Sequence, residues 1–239
     1  MKKRRVLSII LARGGSKSVK NKNIIDLCGK PLIAHTILEA QKSKLIDRLI
    51  VSTDSDKIKT IALGYGADCP FKRPKFLSSD KATSLDALIH ATEWCEQAEG
   101  QKYDFVVELM CTNPLKTVKD IDGAIEKLIK TNADSVIGMS KLDDNHPARA
   151  KRIVNDKIVD FCVPELSSRR QDLKPDAFIR NGSIYAIKRD VLILDKIRFG
   201  SENSRPYIMS YEKSVNIDNK IDLMVAEALL KERLMNEEK

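Results

Sequence analysis

Short apolar runs alternate with helix-like patterns along most of this chain of 239 residues. The run Val6–Leu11 is predicted as a buried strand, and Leu32–Gln41 as a helix that opens at Pro31. Such alternation is typical of βαβ units, in which helices connect the parallel strands of one sheet. We therefore expect an α/β fold whose ligands gather beyond the carboxyl ends of the strands. The other predicted strands are Leu49–Ser52, Phe105–Leu109, Ser135–Met139, Ser183–Ile187 and Tyr207–Met209.

Two helical patterns indicate which residues face the core. One follows Thr117, which is predicted to be the N-cap residue of its helix, and the other ends the chain. In both, apolar residues recur at the spacing of one helix face. The first stripe is Ile121, Ala124, Ile125, Leu128 and Ile129, and the second is Ile221, Met224, Val225, Ala228 and Leu229.

The alternation breaks near Lys141. The sequence KRIVNDKIVD, Lys151–Asp160, predicts a β-hairpin that turns at Asn155–Asp156. A polar, irregular stretch follows, and strand-like order returns only near Ser183. We therefore expect a single domain over residues 1–239 that carries an insertion over about residues 141–179.

The composition narrows the class of ligand. The net charge is +8, and only 5% of the residues are aromatic. A basic balance suits nucleic acid or anionic small molecules, but residues that could stack on single-stranded nucleic acid are scarce. A small phosphorylated ligand is therefore favoured over RNA or DNA. No apolar stretch has transmembrane length, and the five cysteines form no CxxC pair; we expect a cytoplasmic protein without zinc, disulfides or a membrane partner.

The segment Leu11–Asn23, LARGGSKSVKNKN, carries the strongest functional signal. It follows the first strand, and Gly14 and Gly15 allow the backbone to turn or to approach a ligand closely. A glycine-rich turn with several cations is suited to hold phosphates, although a solvated basic loop would have the same composition. The spacings GxxxxGK[ST] and GxGxxG are both absent, which argues against a standard NTPase or dinucleotide oxidoreductase. The cations are Arg13, Lys17, Lys20 and Lys22.

Other polar segments have both structural and functional interpretations. Asp54, at a strand end, could cap the next helix or approach the ligand. Arg73 and Ser84 could bond a base or ribose, or belong to an ordinary loop. The paired arginines of RRQDL, Arg169–Leu173, suit a carboxylate or phosphate, or a surface salt-bridge cluster. His146 could touch a substrate.

The sequence NIDNKID places Asp218 between the last strand and the last helix. Mg²⁺ is typically held by one or two carboxylates together with phosphates and waters, so Asp218 is a candidate ligand. Asp222 lies four residues further on and could serve only the helix dipole.

Seven segments, taken in order, resemble those of the acylneuraminate cytidylyltransferases, the family that makes CMP-sialic acid. Together they cover nearly the whole chain, which makes the resemblance specific. They are LARGGSKSVKNKNI (Leu11–Ile24), VSTDSD, KRP with its following DKATS, CTNPLK (Cys111–Lys116), RRQDL, NGSIYAI (Asn181–Ile187) and NIDNKIDLMVAE (Asn216–Glu227).

The resemblance implies a Rossmann-like nucleotidyltransferase fold, with a mostly parallel sheet flanked by helices and a small β-containing insertion for dimerisation and sugar binding. It implies that CTP and a nonulosonic acid (sialic, legionaminic or pseudaminic acid) give a CMP-sugar and pyrophosphate. It further implies Mg²⁺ as cofactor and a homodimer as the assembly. A CMP-Kdo-type synthetase and a non-catalytic nucleotide- or RNA-binding protein are the alternatives.

The resemblance also assigns residues by motif position. The implied catalytic residues are Arg13, Lys17, Lys22 and Asp218. The implied nucleotide-binding residues are Leu11, Ala12, Arg13, Gly14, Gly15, Ser16, Lys22, Asn23, Arg73 and Ser84. The implied sugar-binding residues are Met110, Thr112, Arg170 and Gln171, and the implied metal ligands are Asp218 and Asn216.

Two departures from the family pattern bear on substrate and metal. Asn216 stands where the family commonly has the first aspartate of a DID sequence, so Asp218 carries more of the metal binding or water substitutes. Met110 stands at the usual glutamine of LLQPTSPLR, because this chain has ELMCTNPLK. That position lies near the sugar, so Met110 bears on which sugar is accepted.

Overall fold

The computed structural model describes residues 4–15, 19, 21–162, 164, 167 and 169–237. The strands are β1 (Val6–Leu11), β2 (Asp26–Leu27), β3 (Lys30–Pro31), β4 (Arg48–Ser52), β5 (Phe105–Leu109), β6 (Ser135–Leu142), β7 (Lys151–Val154), β8 (Lys157–Asp160), β9 (Ala177–Lys188) and β10 (Ser204–Ile208). The helices are α1 (Leu32–Gln41), α2 (Asp56–Gly64), α3 (Ser84–Glu99), α4 (Val118–Thr131), α5 (Arg189–Ile193) and α6 (Lys220–Glu237). Within these ranges, no helix combines the length and apolar character that a membrane crossing requires.

Six strands form the central sheet in the order β10–β6–β9–β5–β1–β4. The pairs β1–β4, β1–β5 and β6–β10 are parallel, whereas β9 runs antiparallel to both of its neighbours. The expected α/β fold with a mostly parallel sheet is therefore confirmed. The pairing of β6 with β9 continues to Leu142 opposite Ala177, so the sheet includes both ends of the segment expected as an insertion.

The sheet is covered on both faces. Successive residues of β1 point to opposite sides, so Ile10 packs in a cluster with α1, α2 and α4, and Ile9 packs in a second cluster with α3 and α5. This three-layer arrangement buries strands on both faces, which explains their nearly continuous apolar sequences.

The stripe predicted for α4 is confirmed. Ile121 and Leu128 are fully buried, as are the alanine and isoleucine between them. The helix begins after Thr117, whose N–H donates to the Asp120 carboxylate (2.9 Å) in a capping box. The next N–H, of Val118, donates to the Glu39 carboxylate of α1 (2.7 Å), so side chains satisfy N–H groups at the helix start.

The face predicted for α6 is wrong. Ile221 and Met224 are exposed, whereas Ala226 and Leu230 are buried against Leu32. Apolar residues occur on more than one side of α6, so periodicity alone does not select the buried side. The packing partner decides it, and that partner comes from the first 115 residues of the chain.

The predicted hairpin forms at the predicted place. β7 and β8 pair antiparallel with Val154 opposite Lys157. Asn155 and Asp156 have φ values of 50° and 61°, as a two-residue type I′ turn requires.

Lys116 is a fully buried cation at the turn after β5. Its ammonium donates hydrogen bonds to the carbonyl oxygens of Met110 (2.8 Å) and Asn113, and to Thr36 Oγ1 (3.0 Å). Burial lowers the pKa of Lys116 to about 7. The lysine therefore ties the turn at residues 110–113 to α1, which carries Thr36.

Replacing Lys116 with methionine should lower the free energy of unfolding by about 1–3 kcal/mol, because two interior carbonyl oxygens lose their donor. The unfolded chain holds the lysine proton up to its usual pKa of 10.5, whereas the folded chain releases it near 7. Over this pH range folding must release the lysine proton, and the free energy that this release costs falls as the pH rises. The free energy of unfolding of the native chain therefore increases between about pH 7 and about pH 10.

Urea unfolding across this pH range checks the prediction. Lys116→Met should show a shallower rise of stability with pH than the native chain. Lys130→Met, at an exposed position of α4, serves as the matched control and should keep the native slope. Parallel pH profiles for Lys116→Met and the native chain would contradict this account.

Candidate active site

The carboxyl ends of β1, β4 and β5 lie at one edge of the sheet, where the segments that follow them are joined by backbone hydrogen bonds. The Ala12 N–H donates to the Ser52 carbonyl (3.0 Å), which ties the loop after β1 to the end of β4. The Ile217 N–H donates to the Thr112 carbonyl (2.8 Å), which brings the segment before α6 to the turn after β5. This edge thus gathers parts of the chain that are far apart in sequence.

Two adjoining cavities open here, cavity A of about 440 Å³ and cavity B of about 640 Å³, and Ser84 lines both. Cavity A is lined by Leu11, Arg13, Lys22, Asn23, Arg73, Leu77, Ser79, Asp80, Ala82, Thr83, Ser84, Ala87 and Thr112. Cavity B is lined by Ser84, Met110, Ser140, Leu142, Asn145, Ile179, Arg180, Asn181, Gly182, Tyr185, Arg198, Tyr211, Ser214, Asn216 and Asp218.

Cavity A brings together most of the residues predicted to bind the nucleotide. Ala12 is an exception, because it is fully buried in the core. Gly14 and Gly15 lie outside the lining of cavity A, and Ser16, Lys17 and Lys20 lie outside the described residues. The predicted residues that do line it are Leu11, Arg13, Lys22, Asn23, Arg73 and Ser84.

Gly14 allows the loop to approach the turn after β4. Its N–H donates to Asp54 Oδ1 (2.9 Å), and a Cβ at Gly14 would lie 3.0 Å from the Cβ of Ser55. Gly15, by contrast, has no atom of the described residues within 4 Å of a Cβ built there. Asp54 therefore supports the loop, and the cap of α2 is Ser55, whose Oγ accepts from the Ile58 N–H (3.5 Å). The close approach at Gly14 is thus to the protein's own chain.

Arg13 and Lys22 are held by carboxylates from two different parts of the chain. Arg13 Nη1 donates to Asp80 Oδ1 (3.1 Å) and to the Ser79 carbonyl (3.3 Å). Lys22 Nζ donates to Asp218 Oδ1 (2.8 Å) and to the Ile217 carbonyl (3.0 Å). Since Lys22 lines cavity A and Asp218 lines cavity B, this ion pair marks the junction of the two cavities.

Arg73 is a buried cation at the wall of cavity A. Its Nε donates to Ser52 Oγ (3.0 Å), and its Nη2 donates to the Ser52 carbonyl. Among the described residues no carboxylate forms an ion pair with it, and desolvation lowers its pKa to about 10. Arg73 stays protonated at neutral pH, so it offers cavity A a positive charge without a paired carboxylate.

Asn23 connects the loop after β1 to the turn after β5. Its Nδ2 donates to the Arg13 carbonyl (2.9 Å), and its Oδ1 accepts from Cys111 Sγ (3.1 Å). Burial raises the pKa of Cys111 to about 11, so this thiol is a hydrogen-bond donor rather than a nucleophile. Asn23 therefore fixes the backbone beside Arg13 and lines cavity A at the same time.

The amino terminus of α3 also faces this region. Thr83 Oγ1 accepts from the Asp86 N–H (3.1 Å) and caps the helix, so that Ser84 is its first residue. Both Thr83 and Ser84 line cavity A. A helix amino terminus carries partial positive charge, which adds to the field of the cations around the cavity.

Asn216 and Asp218 both line cavity B. Asn216 Nδ2 donates to Asp218 Oδ2 (2.7 Å), while Asn216 Oδ1 is buried and has no hydrogen-bond partner among the described residues. Asp218 itself is 65% exposed. An unpartnered amide oxygen beside a carboxylate fits a hard divalent cation. The described residues contain no cluster of three or more His, Cys, Asp or Glu side chains that could hold a metal, so other ligands would come from substrate and water.

Asp222 serves α6, as one interpretation of its position predicted. Its Oδ2 accepts from the N–H groups of Asp218 (2.8 Å) and Asn219 (3.0 Å). The Asn219 Oδ1 in turn accepts a hydrogen bond from the Asp222 N–H (3.0 Å). These bonds fix the backbone that carries Asp218 at the helix start.

The four residues predicted to bind sugar are placed differently. Met110 lines cavity B and Thr112 lines cavity A, where the Thr112 Oγ1 is buried without a partner. Gln171 lies in a short 3-10 turn, is exposed, and lines neither cavity. The side chain of Arg170 lies outside the described part of the structure. His146 is buried, and its Nε2 is hydrogen-bonded to the Pro175 carbonyl oxygen (2.9 Å), so the prediction of a substrate contact at His146 is not supported.

Sequence reasoning assigned no role to three side chains that line cavity B, namely Arg180, Tyr185 and Arg198. Arg198 Nε donates to the buried Glu108 carboxylate (2.6 Å), and the Arg198 guanidinium lies 4.0 Å from the ring centroid of Tyr185. The Arg180 guanidinium lies 4.0 Å from the ring centroid of Phe199. The one visible signal was Glu108, a carboxylate inside the apolar strand FVVEL. A charged residue in a buried strand predicts a partner, but not which residue supplies it.

Comparison with known proteins identifies the family of the chain. The chain is 34% identical over 227 residues to the pseudaminic acid cytidylyltransferase of Campylobacter jejuni, covering 94% of this chain and 96% of that protein. It is also 34% identical over 232 residues to the CMP-N,N'-diacetyllegionaminic acid synthase of Legionella pneumophila, covering 95% and 96%.

A solved structure shows the same fold at lower identity. It is CMP:2-keto-3-deoxy-manno-octonic acid synthetase in complex with CTP, with a TM-score of 0.71, 18% identity, and coverage of 96% of this chain and 99% of that one. The family model described as cytidylyltransferase matches residues 7–239. The family resemblance found in the sequence is thereby confirmed, and the chain belongs to the cytidylyltransferase family.

Proposed function

We propose that this cytidylyltransferase joins CTP to a nonulosonic acid of the sialic, legionaminic or pseudaminic type and releases pyrophosphate. The observation that carries the proposal is the junction of cavities A and B at the Lys22–Asp218 ion pair (2.8 Å). A basic cavity for the triphosphate and a second cavity for the sugar meet at a cation and a carboxylate. The reaction requires that the triphosphate and the sugar meet at one place.

The chemical step needs close placement of two reactants. The anomeric hydroxyl oxygen of the sugar acid bonds to the α-phosphorus of CTP, the bond from that phosphorus to the bridging oxygen breaks, and the hydroxyl proton leaves to solvent. Catalysis then depends on orientation and on neutralising the charge of the phosphates. In the proposal, the triphosphate is held by Arg13, Ser16, Lys17 and Lys22, and the cytidine part is bound by Asn23, Arg73 and Ser84.

Cytidylyltransferases of this kind generally use a divalent metal, and we propose Mg²⁺ here. Asp218 and the unpartnered Asn216 Oδ1 would hold it, and the ion would offset negative charge on the phosphates and polarise them. An amide oxygen is a weaker ligand than a carboxylate, so Asp218 supplies the charge of the site.

The sugar side of the proposal includes Met110 and Thr112, together with Arg170 and Gln171 from the insertion. Gln171 lies away from both cavities of its own chain, so we propose that the insertion reaches the site of a second copy. The names of the two bacterial relatives favour a nonulosonic acid over the eight-carbon Kdo. We place the reaction in the cytoplasm, where CTP is formed.

An assay of pyrophosphate release with CTP, Mg²⁺ and a panel of sugar acids tests the proposed function. The panel contains sialic, legionaminic and pseudaminic acids and Kdo. We expect release with at least one nonulosonic acid and slower release with Kdo. Fastest release with Kdo would identify a CMP-Kdo-type synthetase, and CTP binding without release from any sugar would indicate a nucleotide-binding protein without catalysis.

Asp218→Ala should lower turnover by about 100-fold or more at saturating CTP and sugar, because the metal loses its charged ligand. The fold should remain, since Asp218 is exposed and its backbone is fixed by Asp222. The matched control is Asp190→Ala, an exposed aspartate at the opposite edge of the sheet. Native turnover in Asp218→Ala, at any Mg²⁺ concentration, would remove this residue from the metal site.

The β7–β8 hairpin supports the homodimer that we propose. Ile153, Ile158 and Phe161 are 68%, 73% and 67% exposed. A two-stranded hairpin is marginally stable by itself, and a cluster of exposed apolar side chains is typical of an interface. We therefore propose that a second copy of the chain covers this hairpin.

The double variant Ile153→Asp/Ile158→Asp should be monomeric in light scattering, whereas the native chain should be dimeric, because two desolvated charges would oppose the contact. Leu63→Asp, at an exposed leucine on α2, is the matched control and should remain dimeric. A native chain that stays monomeric at concentrations of roughly 100 μM would contradict the proposed dimer.

A further inference from the structure

A buried ion pair links the middle of the sheet to cavity B. Glu108 lies in β5 and is almost completely buried, and its Oε2 accepts from Arg198 Nε at 2.6 Å. Burial raises the pKa of the Glu108 carboxyl, and the adjacent guanidinium opposes that rise by stabilising the carboxylate. An interior carboxylate is costly unless it is paired, so Glu108 fixes where the Arg198 guanidinium lies.

Arg198 still has donors available to a ligand. Its Nη2 lies 3.8 Å from Met110 Sδ, a weak acceptor, and its Nη1 has no hydrogen-bond acceptor among the described residues. The guanidinium lies 4.0 Å from the ring centroid of Tyr185, which restricts it from the other side. Arg198 therefore presents a rigid fork of N–H groups at the wall of cavity B.

A second arginine in the same cavity differs from Arg198 because no described carboxylate neutralises its charge. Arg180 also lines cavity B, lies against Phe199, and has no carboxylate partner among the described residues. A carboxylate on the sugar acid would be attracted to Arg180, whereas at Arg198 it would meet the opposing field of Glu108. The Glu108–Arg198 pair has no net charge, so it is suited to an uncharged acceptor. A hydrogen bond from the charged guanidinium to such an acceptor is still stronger than one between two neutral groups.

We propose that Arg198 determines sugar specificity by donating hydrogen bonds to an uncharged acceptor oxygen of the sugar acid, either an amide carbonyl or a hydroxyl. Glu108 is the positioning residue that holds Arg198 in place. This proposal rests on the proposed function, because it assigns cavity B to the sugar.

Arg198→Met should raise the KM for the sugar acid by about tenfold or more and leave the KM for CTP within about twofold, because only the sugar loses a charged donor. The matched control is Arg189→Met, which breaks the other buried arginine–glutamate pair, Arg189–Glu96 (2.8 Å), away from both cavities. That variant should lose stability without a selective change in the KM for the sugar. Equal effects of Arg198→Met on both KM values would overturn the proposal.

Two variants of Glu108 separate positioning from folding. Glu108→Gln keeps the shape of the side chain and should raise the KM for the sugar; a lower KM would show that Arg198 binds the sugar's carboxylate and would overturn the proposal. The double variant Glu108→Leu/Arg198→Leu should regain the thermal stability lost in Arg198→Met, because no unpaired charge remains inside. Its KM for the sugar should stay raised, and a return to the native KM would show a purely structural pair.

Assays with an N-acylated nonulosonic acid and with Kdo, which has hydroxyls but no amide, identify the acceptor. If Arg198→Met raises the KM only for the N-acylated sugar, the acceptor is the amide carbonyl. If it raises the KM for both sugars, the acceptor is a hydroxyl that both share. Loss with neither sugar would overturn the proposal. The native chain is assayed in parallel, since its failure with every sugar would reject the proposed function itself, whatever the variants do.

Discussion

The ammonium group of Lys22 joins the two halves of the site, because it bonds at once to the Ile217 carbonyl and to the Asp218 carboxylate. These partners lie 195 and 196 residues further along the chain. The same segment is tied to the turn after β5 by the hydrogen bond between Ile217 and Thr112. The backbone at Asp218 is thus fixed by neighbouring contacts, and Lys22 connects its side chain to the basic loop.

The charges around the site are distributed unequally. Cavity A has Arg13, Lys22 and the buried Arg73 beside the amino terminus of α3, and Arg73 has no carboxylate partner among the described residues. A polyanion could form charge-assisted hydrogen bonds with these cations. Cavity B combines Arg198, which is paired with Glu108, with Arg180, which has no carboxylate partner in the described part of the chain. One cavity therefore suits a triphosphate, and the other a ligand with a single negative charge and several neutral polar groups.

Local patterns predicted much of the fold. The strand–helix alternation, the cap at Thr117 and the hairpin turn at Asn155–Asp156 each depend on neighbouring residues, and each is found where the sequence placed it. The buried face of α6 depends on a distant packing partner, and periodicity alone gave the wrong face.

The same distinction applies to the site. The segment LARGGSKSVKNKN could be singled out because its residues are contiguous, and Leu11, Arg13, Lys22 and Asn23 of it line cavity A. The Glu108–Arg198 pair spans 90 residues, so nothing local to either residue predicts the contact. Gly14 lies close to Ser55, and only the tertiary fold brings these two residues together.

A crystal structure of the chain with CTP and Mg²⁺, without sugar acid, tests the central claim most directly. The account predicts the triphosphate in cavity A, with phosphate oxygens in hydrogen-bond contact with Arg13 and Lys22. It also predicts the metal at Asp218, and cavity B open beside the α-phosphate. A triphosphate bound away from Lys22, with the Lys22–Asp218 contact unchanged, would contradict the account.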